Sequence, residues 1–219
     1  GFWHRYAAWS LDFVAISAIA WFFTRAEMHA GLDAATVAWG RLFGRASQAM
    51  ADALLSGNDI HSLSQALMQD PVLQAAANAV QDGLVQATLP FAIACAGIAL
   101  LWHGLGEASS WQGSPGKRAF GLVATDVDGR RLGFARAFAR QAAGIASWIT
   151  LNLGHLLAAL PPQHRALHDH IAGTRVLRTD DAPHMPPAAK LWLWLQVLAG
   201  IAALAWGVAR YLALLAAIG

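Results

Sequence analysis

The sequence is poor in charged residues and in cysteine, and both shortages limit what the protein can be. Only 13% of its 219 residues are charged and 57% are hydrophobic, whereas a soluble domain carries about 25% charged residues. This composition favours an integral membrane protein. The single cysteine, Cys95, excludes an internal disulfide. The formal net charge is +2 and no block of like charges occurs, so we expect no nucleic-acid binding.

The sequence also lacks the motifs of common enzyme classes. It contains no HExxH motif, and the Pro-Gly-Lys at 115–117 is not part of a GxxxxGK[ST] phosphate loop. No Ser/His/Asp or Cys/His set has a spacing that indicates nucleophilic catalysis. The histidine-rich segment 164–170 has no cysteines beside it, and the two prolines at 161–162 favour a loop. We therefore expect no enzymatic activity, no cofactor and no metal site.

Long apolar runs, by contrast, are abundant. Four runs approach the roughly 20 residues that cross a bilayer core, at 6–23, 84–105, 142–160 and 191–218. The first, second and fourth predict transmembrane helices. The third contains Asn152 and Gly154, and it could cross, lie in the interface or re-enter. The predicted fold class is an all-α helical membrane protein with three to four transmembrane or re-entrant helices.

Charge is distributed unevenly between the connecting segments. Residues 25–84 carry three arginines against six acidic residues, a balance of −3, and residues 117–140 carry six basic against two acidic residues, a balance of +4. The positive-inside rule places the basic segment and the N-terminus in the cytoplasm and the acidic insert outside. The basic residues of 161–190 also favour the cytoplasm, which is the main reason to consider a re-entrant third run.

The acidic insert has helical patterns of its own. We predict a helix over 36–56 that ends at Gly57, a short helix over 62–69, and a further helix capped by Asp70 with Pro71 at its first position. The amphipathic stretch 37–54 could lie on the outer leaflet or pack against the extended second helix.

One short region predicts β structure. Residues 121–134 place apolar residues around Asp128-Gly129, a pair that favours a type I′ hairpin turn. A turn is expected at 114–117. The segment 173–177 is a strand candidate that could pair with this small cytoplasmic hairpin.

An aspartate in the middle of the first apolar run, Asp12, needs a physical explanation. It lies about 13 Å into the helix, near the centre of a core about 30 Å thick. An ionised carboxylate at that depth must be paired, hydrated or protonated. Arg5 lies two turns away and is expected to extend to the headgroups. The expected partners of Asp12 lie on other segments and are Lys117, Arg118, Arg136, Arg140 or His168.

Three stretches of the sequence resemble the RDD family of small bacterial membrane proteins. FWHRYAAWSLDF places Arg5 and Asp12 at the family's arginine and first aspartate, and RALHDHIAGTRVL places Asp169 at the second. Residues 106–141 are similar to the signature E…TPGKRxxGLxVxDxDG, with Ser114 in place of threonine. The resemblance implies a membrane domain over 1–178 in a bacterial inner membrane. It does not cover the final apolar run, and the apolar pattern predicts a linker and a C-terminal transmembrane helix over 179–219. The resemblance also leaves the insert 25–84 uncovered.

Two functional hypotheses remain open at this stage. The resemblance implies cation–proton exchange for some relatives, with Asp12 as ion site supported by Arg5 and Asp169, and a monovalent cation or proton as ligand. It implies membrane-complex assembly for others, in which the same residues hold the fold of a scaffold or accessory subunit. The partners would be lipid, a second copy or another membrane protein. The supporting residues under either hypothesis are Glu107, Lys117, Arg118, Arg140, His155 and His168.

Glu107 is expected at the interface near Lys117. Asp169 is expected to order its loop by accepting backbone N–H bonds or by pairing with an arginine. His155 is a candidate proton relay, although a hydrogen-bonded packing role suits it better.

Overall fold

The computed structural model describes residues 2–57, 59–149, 154, 157–160, 165–179 and 184–218. Three described helices are long and apolar enough to cross a membrane: α1 (Phe2–Leu55), α3 (Pro71–Ala108) and α7 (Pro187–Ile218). They contain the first, second and fourth apolar runs, so these three predictions are confirmed. The predicted fold class, a helical membrane protein with a small antiparallel β element, is also confirmed.

Helix α1 is longer than the apolar pattern indicated. The helix predicted over 36–56 is not a separate element, because α1 runs without interruption for 54 residues. It ends before Gly57, whose φ of +66° fits the expected left-handed stop. At about 1.5 Å per residue, α1 is about 81 Å long, whereas a whole bilayer is about 40–45 Å thick.

The remaining helices of the insert begin at side-chain caps. Helix α2 (Ile60–Gln69) begins after Asp59, which accepts a hydrogen bond from the Ser62 backbone N–H at 3.0 Å. Asp70 accepts from the N–H groups of Val72 and Leu73 at 2.8 and 3.2 Å, so its predicted role as the cap of α3 is confirmed.

The chain divides into two compact units, Gly1–Ala15 with Ala99–Gly219, and Ile16–Ile98. In the second unit α1 packs closely against α3. A Cβ added to Gly31 would lie 2.4 Å from the Ala87 backbone N, and one added to Gly83 would lie 2.7 Å from the Ala35 N. Two Gly-x-x-x-Ala pairs thus face each other and let the backbones approach. The stretch 37–54 continues this helix, and Arg45 pairs with Asp70 at the start of α3 at 2.7 Å.

The first unit contains the β element and the short helices. Strand β1 (Leu122–Asp126) pairs antiparallel with β2 (Thr174–Arg178), so the predicted pairing of segment 173–177 is confirmed. The other short elements are α4 (Pro115–Ala119), α5 (Phe134–Ile149) and α6 (Leu167–Ala172). The segment expected as a turn at 114–117 begins α4, with Pro115 at its first position. The third apolar run begins within α5, and its centre, residues 150–153 and 155–156, lies outside the described residues.

The turn after β1 differs from the predicted type I′ turn. The Gly129 N–H donates to the Asp126 carbonyl at 3.1 Å, and Gly129 has φ +85°, but Asp128 does not have the positive φ that a type I′ turn requires. The reason is local, because the Asp126 carboxylate accepts from the backbone N–H groups of Asp128 and Arg130 at 3.0 and 2.8 Å.

Candidate functional site

Asp12 lies in a closed cradle of hydrogen-bond donors. Its side chain is 1% exposed. Oδ1 accepts from the Trp102 indole N–H at 2.9 Å and from the Gly116 backbone N–H at 2.7 Å, and Oδ2 accepts from the Ser114 hydroxyl at 2.5 Å. Both carboxylate oxygens therefore have protein donors, which is how a buried carboxylate is stabilised without water.

The short helix α4 supplies two of these three donors. Pro115 starts the helix and leaves Ser114 just outside it, with its hydroxyl directed to Asp12 and not to a capping N–H. At Gly116 a Cβ would lie 2.2 Å from the Ala8 carbonyl oxygen and 2.9 Å from the Asp12 Cγ. The Ser-Pro-Gly sequence thus lets the backbone of α4 touch α1, and Gly116 is required because any side chain would separate the two helices.

His103 also borders this cradle. Its Nδ1 lies 3.9 Å from Asp12 Oδ2, beyond hydrogen-bond distance, and within the described part of the chain this buried nitrogen has no hydrogen-bond partner. His103 precedes Glu107 by one helical turn, so both side chains leave α3 on the same face.

Glu107 forms a second buried centre at the end of α3. Its side chain is fully buried. Oε1 accepts from Lys117 Nζ at 2.6 Å and from Arg140 Nη1, and Oε2 accepts from Gln141 Nε2 at 2.9 Å. The expected proximity of Glu107 to Lys117 is confirmed.

Asp169 continues the network from Arg140. Arg140 Nε and Nη2 each lie 2.9 Å from Asp169 Oδ1, and Arg5 Nη1 donates to Oδ2 at 3.0 Å. Oδ2 also accepts from the Ala166 backbone N–H at 3.0 Å, and Oδ1 accepts from the Thr174 hydroxyl at 3.3 Å. Both expected roles of Asp169, accepting a backbone N–H and pairing with arginine, are therefore present together.

The charges of this centre hold one another ionised. Burial alone would raise the pKa of the Asp169 carboxyl, but Arg140, His168 and Arg5 outweigh burial, so this pKa lies well below its usual range. Burial likewise disfavours the Arg140 cation, yet Glu107 and Asp169 raise the pKa of Arg140 above its ordinary value. We call this row of alternating charges the ionic row; it consists of Lys117, Glu107, Arg140, Asp169 and Arg5.

Two expectations about the network are wrong. Arg5 does not extend to the headgroups, because its guanidinium is held by Asp169 and by the Val176 carbonyl at 3.2 Å. The partners expected for Asp12 are also wrong. Lys117 and Arg140 are engaged by Glu107, and Asp12 is held by the uncharged donors of its cradle.

The other expected partners of Asp12 lie elsewhere. Arg136 lies 3.5 Å from Asp126, and Arg118 is exposed and makes no ion pair among the described residues. His168 lies 3.2 Å from an Arg140 nitrogen and 3.7 Å from Asp169, so it lies next to the ionic row and away from the Asp12 cradle. His155, the candidate relay, lies outside the described residues.

Several participants were not found from the sequence. Trp102 and His103 stand at the end of an apolar run and carry little signal individually, although the one-turn spacing of His103 and Glu107 could have indicated a polar face. No sequence pattern around Gln141 or Thr174 indicated that these residues join the buried network. His4 was also missed; its Nε2 lies within hydrogen-bond distance of the Phe120 carbonyl and ties α1 to the end of α4.

Comparison with known proteins gives a family match for most of the chain. A sequence model of the RDD family matches residues 1–173, which contain the Asp12 cradle and the ionic row. The chain is 34% identical over 91 residues to the Uncharacterized protein YxaI of Bacillus subtilis (strain 168). That similarity covers 42% of this chain and 60% of the length of YxaI, less than two thirds. No solved structure matches the chain.

Proposed function

The chain belongs to the RDD family, and on that premise we propose that it is a non-catalytic integral membrane scaffold or accessory subunit. Arg5, Asp12 and Asp169 serve to hold its fold. The observation that carries this proposal is the Asp12 cradle, in which both carboxylate oxygens accept hydrogen bonds from the protein and the side chain is 1% exposed.

An ion site must bind and release its ion, and the cradle makes that costly. A cation that used Asp12 as its ligand would have to displace up to three donors. Hydrogen bonds to a charged group contribute about 1.5–3 kcal/mol each, so three of them contribute roughly 5–9 kcal/mol. This cost supports a permanent structural contact between α1, α3 and α4 in preference to a site that opens in each transport cycle.

The proposed placement is the bacterial inner membrane with the N-terminus in the cytoplasm. The excess of basic residues in 117–140 supports this orientation. Lys117 and Arg140 are engaged in the ionic row. Arg118 and Arg130 are exposed, and these two arginines remain available to the anionic headgroups of the cytoplasmic leaflet. The acidic insert then lies outside the membrane on the opposite side.

Asp12→Asn tests the structural role. Loss of one charge-assisted interaction is expected to lower stability by about 1.5–3 kcal/mol. The matched control is Asp128→Asn, because the Asp128 side chain is 61% exposed. Thermal unfolding of both purified variants is measured in the same detergent. A structural role predicts a lower melting temperature for Asp12→Asn alone, whereas equal melting temperatures would contradict it.

A second candidate function is cation–proton exchange, and one observation favours it. His103 places a buried nitrogen without a hydrogen-bond partner among the described residues 3.9 Å from Asp12, so the imidazole could exchange a proton with that carboxylate. Exchange predicts that His103→Gln alters the pH dependence of cation-driven proton movement in vesicles. A scaffold predicts that wild type shows no such movement.

A further inference from the structure

Helix α1 carries an exposed apolar face within the insert, separate from the face that packs against α3. Five large side chains form it, with exposed fractions of 45, 59, 68, 53 and 81%: Leu32, Trp39, Phe43, Met50 and Leu54. At 3.6 residues per turn these positions lie within about 60° of one another around the helix. We call this set the α1 stripe.

The α1 stripe is distinct from the packed face of the same helix. Gly31, Ala35 and Ala38 are buried, and the first two positions lie at the close approach to α3. By the same helical spacing, this packed face is centred roughly 100° away from the stripe. The stripe therefore remains uncovered after α1 and α3 have packed together, and exposed apolar surface of this kind marks an interaction site.

Lipid is a poor occupant for the stripe because this part of α1 carries charged residues. Asp33 and Arg41 lie between residues of the stripe along the helix and are exposed, and a charged side chain in the hydrocarbon core costs about 2.5–3.5 kcal/mol. Hydrocarbon therefore disfavours this segment of α1, and burial of the stripe against protein is the favourable outcome.

We propose that the α1 stripe is the interface with a second copy of this chain. Two copies inserted in one membrane have the same direction, and a two-fold axis along the membrane normal places their α1 helices parallel and in register. Spacings of seven residues between Leu32 and Trp39 and between Phe43 and Met50, with four residues between Trp39 and Phe43, follow the heptad pattern of parallel helix pairs.

Charge and shape favour this self-pairing. The stripe contains no charged residue, so in-register pairing places no like charges opposite each other. Beside it, Gly40 and Gly44 form a Gly-x-x-x-Gly pair, and a Cβ on either glycine would meet nothing within 4 Å. Because glycine has no side chain, these two positions leave the flank of the stripe open to a partner helix.

The available area reaches that of a specific dimer. The five side chains are 45–81% exposed, and a large side chain offers about 150–250 Å², so together they present roughly 450–750 Å² per copy. Two copies would bury about 900–1,500 Å², a range that overlaps the roughly 1,200–2,000 Å² of specific interfaces.

Cysteine cross-linking of the full chain in lipid vesicles tests the geometry. In a Cys95→Ala background, Phe43→Cys and Met50→Cys are compared with Gln48→Cys, an exposed position on the other side of α1. Under mild oxidation the two stripe variants are expected to form disulfide-linked dimers, because parallel in-register helices bring equivalent positions within disulfide reach. Absence of dimers at both stripe positions, or equal cross-linking at Gln48→Cys, would overturn the proposal.

Subunit counting by single-molecule photobleaching gives an independent readout at dilute protein-to-lipid ratios. Wild type is expected to be dimeric, and Phe43→Glu is expected to weaken the dimer roughly 30-fold, as loss of a central aromatic contact does. Gln48→Glu is the matched control and should remain dimeric. Both substitutions are at exposed positions, and circular dichroism checks that the helices persist. A monomeric wild type overturns the proposal. The same result is expected if the stripe binds a different membrane protein and not a second copy.

Discussion

Arg140→Met removes the central cation of the ionic row, and the structure allows the cost to be worked out. Arg140 is 4% exposed and binds Glu107 and Asp169, whose side chains are both fully buried. Removing one member of a buried ion pair costs about 3–5 kcal/mol, because a charge remains buried without its partner. Each carboxylate here keeps one other cation, Lys117 or Arg5, so the lower value of about 3 kcal/mol is expected.

This free energy is measurable as a change in melting temperature. For a chain of this size 1 kcal/mol corresponds to about 2–4 °C, so Arg140→Met should melt roughly 6–12 °C below wild type. The ten tryptophans provide an intrinsic fluorescence signal for the melt in detergent. Arg130→Met is the matched control, since the Arg130 side chain is 79% exposed and its pair with Asp128 spans 3.7 Å. Arg130→Met is expected to change the free energy of unfolding by less than about 0.5 kcal/mol.

A double substitution separates the ionic interaction from simple loss of packing. Glu107→Gln removes one of the two carboxylates that lose Arg140 as a partner in Arg140→Met, so the double variant should lose less stability than the sum of the two single variants. The expected coupling is about 1–3 kcal/mol. Additive losses, or equal melting temperatures for Arg140→Met and Arg130→Met, would refute the reasoning.

Three other predictions follow from the geometry. Gly116→Ala should prevent stable folding, because its Cβ would lie 2.2 Å from the Ala8 carbonyl oxygen; folded yield after purification measures this. Folding lowers the pKa of Asp169, so ionised Asp169 stabilises the folded state. This contribution to the free energy of unfolding is fully present above the unfolded-state pKa of about 3.9 and is lost as the pH falls below that value. Melting temperature should therefore decline below about pH 4, less steeply in Asp169→Asn. Gly31→Ala should destabilise the α1–α3 pair in thermal melts, whereas Gly97→Ala, which meets nothing within 4 Å, should not.

The sequence predicted the spans well because their length and apolarity are local properties. It also singled out Arg5, Asp12 and Asp169, and the structure gives each of them side-chain hydrogen bonds to other segments. It did not predict that α1 is continuous, because the apolar run ends at Phe23 and charged residues follow. The helix continues through this polar stretch, and Gly31, which local propensity would count against a helix, is used for close packing on α3.

The partners of Asp12 could not be predicted from local pattern. Trp102, Ser114 and Gly116 lie 90 to 104 positions away along the chain, and their convergence depends on how α3 and α4 pack on α1. For a carboxylate at membrane depth, the expected partner is a cation. The fold instead surrounds Asp12 with neutral donors and assigns Lys117 and Arg140 to Glu107.

The most direct test of the structural role of Asp12 is proton movement in sealed vesicles that contain the purified protein and an internal pH dye. The vesicles are challenged with Na⁺, K⁺ or Li⁺, and wild type is compared with Asp12→Asn after both have been shown to fold and insert. A structural role for Asp12 predicts no cation-driven pH change from folded wild type. A saturable pH change that Asp12→Asn abolishes while remaining as stable as wild type would contradict it.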